Sequence, residues 1–597
     1  MIITLDLLPL TPNGKLDRRA LPDANIAEND REKTEPRTEK EKKLADIWRD
    51  VLNVDNISVR DNFFEIGGDS ILAIQVVAKA RKAGFDIEPV HIFQHQTIEQ
   101  LSLIISEIKE RNNGEEAESD NSALLPVQRA FFEWNLPQRN HWNQSVFFEI
   151  KEPVEPEMIR KIVRIIMDYH EILRASFRLN NNEWEMQFNK LNDNLPFEII
   201  DLSEIENSHL STEIEIRAFE IQSSLDIEKG PVIKFAYFCC NEGNNNKLLI
   251  AAHHLIIDVV SWRILLEDIL TVFRQIEQQS PIVLPQKSTS YKKWVEIINE
   301  YSKSEELKRE SDYWLRLPYD KWVPIEKDFE GNENIEKDIV SVSSVLNTGD
   351  TLALIREAQK KSNANIMEIL LTALARAYSR WTDKRVLKID LEGHGRESLK
   401  EKSDLTRTIG WFTNIYPVFL DLASSVYPMD SLKEIKEQLR SVPNHGMGFG
   451  IFKYLYKDQF IKEKFNSIPK SEISFNYLGQ LNQFTRDDNQ LFMPAEYSKG
   501  PERGPLNPVP YIINIICLVS GDNFQVHMSF SSKLFKESNI QKFSNLFIEE
   551  LRILIDKCMT SNNDYTASDF PMANLNRDKF NKVLNRLNQK TVKAKYE

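Results

Sequence analysis

Residues 111–122, Arg-Asn-Asn-Gly-Glu-Glu-Ala-Glu-Ser-Asp-Asn-Ser, cut this chain into two bodies of unequal size. A stretch so polar has nothing to place in a packed core, so it reads as a linker. At roughly 150 residues per domain, the 597 residues would divide into about four domains. The linker instead predicts one small body over 36–110 and one large body over 123–560, with residues 1–35 and 561–597 as flanking segments. Within the small body, Leu44, Ile47, Trp48, Val51 and Leu52 fall on one helical face. A second helical run follows Ser70, and a third, over 97–108, carries Ile98, Leu101, Ile104 and Ile105. Such a set predicts a small helical bundle.

The large body alternates strand and helix patterns. Strands are expected over 146–150, 232–238, 248–252, 386–391, 512–519 and 524–530, and a helix over 264–276. More than 400 residues of this kind are enough for two lobes. No apolar run of 18 residues occurs and no basic–apolar leader opens the chain, so neither a membrane span nor a secretory signal is expected. Four cysteines without CxxC spacing fit a reducing, cytoplasmic setting. The net charge of −14 argues against a nucleic-acid partner. Basic residues gather at the end, where Arg577, Lys579, Lys582, Arg586 and Lys590 surround an apolar stripe of Phe580, Val583, Leu584 and Leu587. That pattern is a detached amphipathic helix, or a helix packed back on its own domain.

Two segments carry chemistry. In Asn62-Phe63-Phe64-Glu65-Ile66-Gly67-Gly68-Asp69-Ser70-Ile71, paired glycines permit a sharp turn before a helix. Asp69 or Ser70 can simply cap that helix. Alternatively, the Ser70 hydroxyl at a positive helix end suits a phosphodiester. The second segment, Ala251-Ala252-His253-His254-Leu255-Ile256-Ile257-Asp258-Val259, ends an apolar strand. Adjacent histidines on a strand face opposite ways, so at most one enters a shared cavity. A metal site would need further ligands, and only Asp258 is close in sequence, so no metal is expected.

The first segment, on a bundle of this size, resembles the peptidyl carrier proteins of nonribosomal peptide synthetases. The resemblance implies a four-helix-bundle carrier with 4′-phosphopantetheine on Ser70, installed by a phosphopantetheinyl transferase, and an aminoacyl thioester as the substrate it carries. Asn13-Gly14-Lys15-Leu16-Asp17-Arg18 is similar to the last motif of an adenylation domain, implying such a domain upstream. The histidine segment resembles the HHxxxDG motif of the condensation/epimerization superfamily, which has a two-lobed, chloramphenicol-acetyltransferase-like α/β fold. Val259 stands where that family has glycine, which puts the local turn in question, because a β-branched residue disfavours positive φ.

Surrounding segments resemble the epimerization variant. They are Ser261-Trp262-Arg263, Glu392-Gly393-His394-Gly395-Arg396-Glu397, the run from Arg407 to Pro417, the run from Pro443 to Tyr454, and Phe475-Asn476-Tyr477-Leu478-Gly479. The resemblance implies proton removal at Cα of the aminoacyl thioester and return to the other face. His254 and Glu392 are expected as the acid/base pair, with Tyr477 beside them as donor or enolate ligand. His253, Asp258, Ser261, Trp262, His394, Arg396 and Asn476 are expected to support them. The whole pattern resembles most the initiation modules of gramicidin S and tyrocidine synthetases, implying conversion of L-Phe to D-Phe and use in peptide antibiotic biosynthesis. The terminal helix then resembles a donor docking segment for a downstream condensation domain. A peptide-bond-forming condensation domain and a non-catalytic carrier scaffold are the alternatives.

Overall fold

A computed structural model describes residues 34–107, 121–480, 491–560 and 566–569, with Lys579 and Lys582, apart from isolated positions inside those spans. The adenylation-like motif around Lys15, nearly all of the linker and the terminal docking segment lie outside the described residues.

The small body is a bundle of α1 (Glu39–Leu52), α2 (Ser70–Lys82), α3 (Pro89–Gln94) and α4 (Ile98–Ile104). Leu44, Trp48, Phe63, Val77 and Leu101 form its core. The six-residue α3 is too short for periodicity to reveal. The helix expected to run to residue 108 stops at Ile104. Ile105 turns extended, and Ser106-Glu107 pair antiparallel with Phe85-Asp86.

The large body has two lobes. In the first, β1 (Asn143–Ile150), β2 (Phe197–Leu202), β3 (Ile233–Cys240) and β4 (Lys247–His253) make a sheet in the order β1-β4-β3-β2. The second lobe holds β5 (Ile339–Val345), β6 (Val386–Gly393), β7 (Asn414–Asp421), β8 (Ile473–Gln480), β10 (Ile513–Ser520) and β11 (Asn523–Ser531) in the order β5-β11-β10-β8-β6-β7. The three central strands β6, β8 and β10 are parallel, and long helices over residues 366–382 and 537–560 bury the sheet's inner face. This two-lobed α/β body is the one the sequence implied.

Between β8 and β10 the chain crosses back to the first lobe. Its β9 (Phe492–Pro494) pairs antiparallel with β1 and extends that sheet. The crossover continues beside the end of β1. Asn143 N–H donates to the Glu502 carbonyl at 2.7 Å, and Trp142 and Arg503 form an isolated bridge. Residues far apart in sequence thus meet at the rim of the cleft between the lobes.

Val259 does not disturb the turn. Asp258 caps the helix α5 (Val259–Glu277), its carboxylate accepting the Ser261 N–H at 2.7 Å, and Val259 is the first helical residue. A helical start needs negative φ, which a β-branched residue adopts without strain.

Candidate active site and carrier contact

β4 ends at His253 and the chain turns into a short 3-10 segment at His254, so the two imidazoles part. His253 is fully buried, with Nε2 donating to the Arg139 carbonyl at 2.8 Å and Nδ1 accepting from Leu255 N–H. Burial pulls its pKa down to about 3, so it is a neutral structural group. His254 is only partly covered. Its Nδ1–H donates to the Ile257 carbonyl at 2.8 Å, which leaves the lone pair on Nε2. Nε2 lies 3.0 Å from the Gln144 amide nitrogen, and the Gln144 oxygen accepts the Trp262 indole N–H at 2.9 Å. The Trp411 ring lies over the imidazole at 4.3 Å. Desolvation first, and then Arg503, hold the His254 pKa down at about 4.

Across the cleft, β6 carries Glu392 and β8 carries Asn476. The strands are parallel with Leu391 opposite Phe475, which brings the next residue of each onto one face. Asn476 donates its amide to the Glu392 carboxylate at 2.7 Å. Glu392 is exposed at this strand end, yet crowding by the surrounding protein shifts its pKa upward from the ordinary carboxylate value, and Asp390, two residues earlier on the same face, adds to the rise. Arg503 opposes it. Arg503 stacks on Trp142 at 4.2 Å and pairs with Glu336 at 3.1 Å. Its charge therefore bears on both His254 and Glu392 from the crossover segment.

Tyr477 does not join this pair. It follows Asn476 on a strand, so its ring takes the other face and packs toward the second-lobe core, 6.5 Å from Phe524. The expected triad of His254, Glu392 and Tyr477 is thus a cleft pair plus a core-facing tyrosine.

Of the supporting residues, Asp258, Ser261, His394 and Arg396 form one hub between the lobes. The Arg396 guanidinium donates to both Asp258 oxygens at 3.0 and 3.1 Å and to the Ser261 hydroxyl at 2.9 Å. Ser261 also donates to the Gly410 carbonyl and accepts the Gly410 N–H, while Phe412 N–H reaches Asp258. His394 accepts the Arg396 backbone N–H at 3.0 Å and lies 3.5 Å from Glu397. Asp258 therefore holds helix α5, Arg396 and the loop that carries Trp411 in one arrangement.

A cavity of about 310 Å³ has Asp390, Phe412, Asn414, Met447 and Tyr511 in its wall. The Asn414 amide nitrogen is buried without a protein partner at this wall. Of these site groups, Gln144, Arg503 and Asn414 were not singled out from sequence. The first two come from strands and segments 110 and 249 residues away from His254, and no local pattern marks them.

The carrier rests on the large body. The Gln480 amide, at the end of β8, donates to the Gly67 carbonyl at 3.2 Å, and Lys360 reaches Glu65 at 3.6 Å. Arg81 pairs with Asp404, both largely covered. Ile74 is 1% exposed and packs into the first-lobe cluster rather than the carrier core. The turn before Ser70 is tight. Gly67 has φ +103°, and a Cβ on Gly68 would meet the Phe63 ring and carbonyl at 2.4–2.6 Å, so only glycine brings the chain this close before Ser70 opens α2. Replacing Ile74 by Asp, which puts a charge into that contact, is expected to leave the carrier folded. Processing of a Ser70-bound substrate by the large body should fall at least tenfold, measured by single-turnover kinetics on the loaded chain.

The structure thus lays a small helical bundle against a two-lobed α/β body that holds a paired-histidine motif. Comparison with known proteins gives its family. Residues 118–575 match the condensation-domain family, and residues 42–105 match the phosphopantetheine attachment site family. One of the linear gramicidin synthase proteins of Brevibacillus parabrevis is 37% identical over 586 residues, which is 96% of this chain and 8% of that protein. Gramicidin S synthase 1 of Brevibacillus brevis is 34% identical over 98% of this chain and 54% of that protein. The epimerization domain from the third module of tyrocidine synthetase B superposes with a TM-score of 0.69 at 31% identity, covering 74% of this chain and 98% of that one. The first condensation domain of the CDA synthetase, at 15% identity and a TM-score of 0.57, shares the fold. The chain belongs to the condensation-domain family of nonribosomal peptide synthetases, joined to a phosphopantetheine carrier domain. It spans only part of the length of these curated relatives. Among the described residues no helix is long and apolar enough to cross a membrane.

Proposed function

We propose that the large domain epimerizes the Cα of an aminoacyl group carried as a thioester on the Ser70 arm. The observation that carries this reading is that Arg503, on the crossover segment, acts on both a neutral imidazole of the first lobe and a carboxyl of the second whose pKa is shifted upward. Inverting a carbon centre is easiest with one proton acceptor and one donor on opposite sides. The arm supplies reach and a thioester carbonyl that acidifies the α-proton. His254 Nε2, unprotonated, takes that proton from one face. Glu392, whose pKa is shifted upward, gives its proton to the other, and the roles exchange for the reverse reaction. The carbonyl oxygen gains charge as the proton leaves, and the unpartnered Asn414 amide is the donor available at the wall. L-Phe is the substrate we infer, from the likeness to the initiation modules, and a cavity walled in part by Phe412 and Met447 offers apolar surface for such a side chain. The product then serves a downstream condensation domain.

The test is to load Ser70 chemically with L-phenylalanine and follow exchange of the Cα proton with deuterated solvent. Exchange supports the reading, and its absence in the correctly loaded chain refutes it. The pH dependence is distinctive. Because its pKa is held at about 4, His254 remains a base well below the ordinary histidine value of 6.5. Protonation of His254 should therefore cost no rate as pH falls through 6.5, and the acid decline it causes should come only as pH approaches 4. On the alkaline side the rate should fall as Glu392 loses its proton, above the usual carboxylate range.

Residues 570–597 are proposed to recruit the next synthetase. Deleting them is expected to leave exchange unchanged and to abolish transfer to a downstream partner, read by product release in a two-protein assay.

A further inference from the structure

We propose that Gln144, locked by Trp262, is a positioning residue that keeps the reactive nitrogen of His254 free of a resident proton. This rests on the epimerization reading for its catalytic meaning, while the geometry stands by itself. The chain of donors has one direction. An indole N–H can only donate, so the Trp262 bond at 2.9 Å fixes the Gln144 oxygen toward Trp262. The amide nitrogen is then turned to His254 Nε2 at 3.0 Å, and an amide N–H can only donate there. At the other end of the ring a backbone carbonyl can only accept, so Nδ1 keeps its hydrogen. Every partner of His254 therefore favours one neutral tautomer.

The consequence is chemical. A proton arriving on Nε2 would face the Gln144 N–H donor, and a hydrogen bond to the neutral form disfavours the charged one. The amide cannot turn to offer its oxygen without breaking the Trp262 bond. Nε2 has a single lone pair, so a proton taken from a substrate carbon must displace the Gln144 N–H from it; that proton is thus held weakly and given back readily, as a reaction that runs in both directions at one centre requires. Trp262 is 7% exposed, so the lock is shielded from competing water.

The other charged and titratable groups around His254 are Arg503 on the crossover segment, Asp258 at the head of α5 and His253 at the end of β4. His253 is neutral, and Arg503 also opposes protonation. Asp258 favours it, but is engaged by Arg396. All three are unchanged when only residue 144 is altered, so a comparison at that position isolates its effect.

The experiment uses the full unloaded chain with 13Cε1-labelled histidine, the His254 signal being assigned by its loss in His254→Ala. In the unaltered chain, that signal is expected to stay in the neutral position down to at least pH 5. In Gln144→Glu, where a carboxylate can accept from Nε2–H, the midpoint should rise above 6.5. Trp262→Phe, which frees the amide to turn, should give a midpoint between the two. In the loaded chain the acid limb of exchange should move with these midpoints, and Gln144→Asn, which retains the amide, should keep the midpoint below that of Gln144→Glu. An unaltered chain titrating near 6.5, or a Gln144→Glu chain titrating where the unaltered one does, overturns the proposal. The expected titrations without exchange in the loaded chain would leave the role of Gln144 toward His254 standing and overturn the epimerization reading.

Discussion

With Ser70 loaded, His254→Ala and Glu392→Gln should each slow Cα-proton exchange by about two to four orders of magnitude, the range for removing one positioned acid or base. The two effects should differ in kind. His254→Ala removes the acceptor on one face, so an L-substrate and a D-substrate lose exchange unequally. Glu392→Gln removes the partner on the other face, and the inequality should reverse. Gln retains the hydrogen bond geometry toward Asn476, so loss of activity there reports proton transfer rather than a collapsed strand pair. Single-turnover exchange measured from both enantiomers checks this. Unchanged exchange in both variants would contradict the two-base arrangement.

Breaking the buried hub should have the largest effect on stability. Asp258 and Arg396 are 5% and 4% exposed, and their contacts join both lobes to the loop at residues 410–412. Removing one partner of a buried pair costs about 3–5 kcal/mol, because the other charge is left without compensation. Asp258→Ala also deprives Ser261 N–H of its cap, worth about 1 kcal/mol. Arg396→Met should cost a comparable amount. The double variant Asp258→Ala/Arg396→Met should cost clearly less than the sum, because no unpaired charge remains. Urea denaturation of the four chains reads this directly. Strict additivity would mean that the pair does not couple the lobes.

Much of this architecture was legible because apolar periodicity survives wherever a strand or helix faces the core. The strand expected over 386–391 runs to Gly393, and that over 524–530 to Ser531. Legibility fails where elements carry function. β1 begins at Asn143, three residues before the expected start, because its first residues are polar: Gln144 meets His254, while Asn143 and Ser145 bond to Gln222 and Glu502 on the other face. α5 begins at Val259 rather than Ile264, since its first turn is spent on the hub.

The paired histidines, Asp258 and Glu392 could be named from short motifs, each sitting in a contiguous string. Gln144 and Arg503 could not. They reach His254 and its surroundings only through the β1–β4 register and the crossover between lobes, and neither pairing leaves a trace in local sequence. Tyr477 shows the opposite failure. Adjacency to Asn476 in a motif suggested adjacency in the site, but strand alternation sends neighbouring side chains to opposite faces. The doubt over Val259 had a similar origin, since a substitution that would be strained in a positive-φ turn costs nothing in the first turn of a helix.

The measurement that most directly tests the central claim is chiral analysis of the amino acid released from Ser70. The chain is loaded with L-phenylalanyl phosphopantetheine and incubated with no other synthetase present. A mixture of D- and L-phenylalanine that approaches the same ratio from either loaded enantiomer is the predicted result. Retention of the L configuration, with dipeptide formed once an acceptor carrier is added, would contradict it and assign the cleft to condensation.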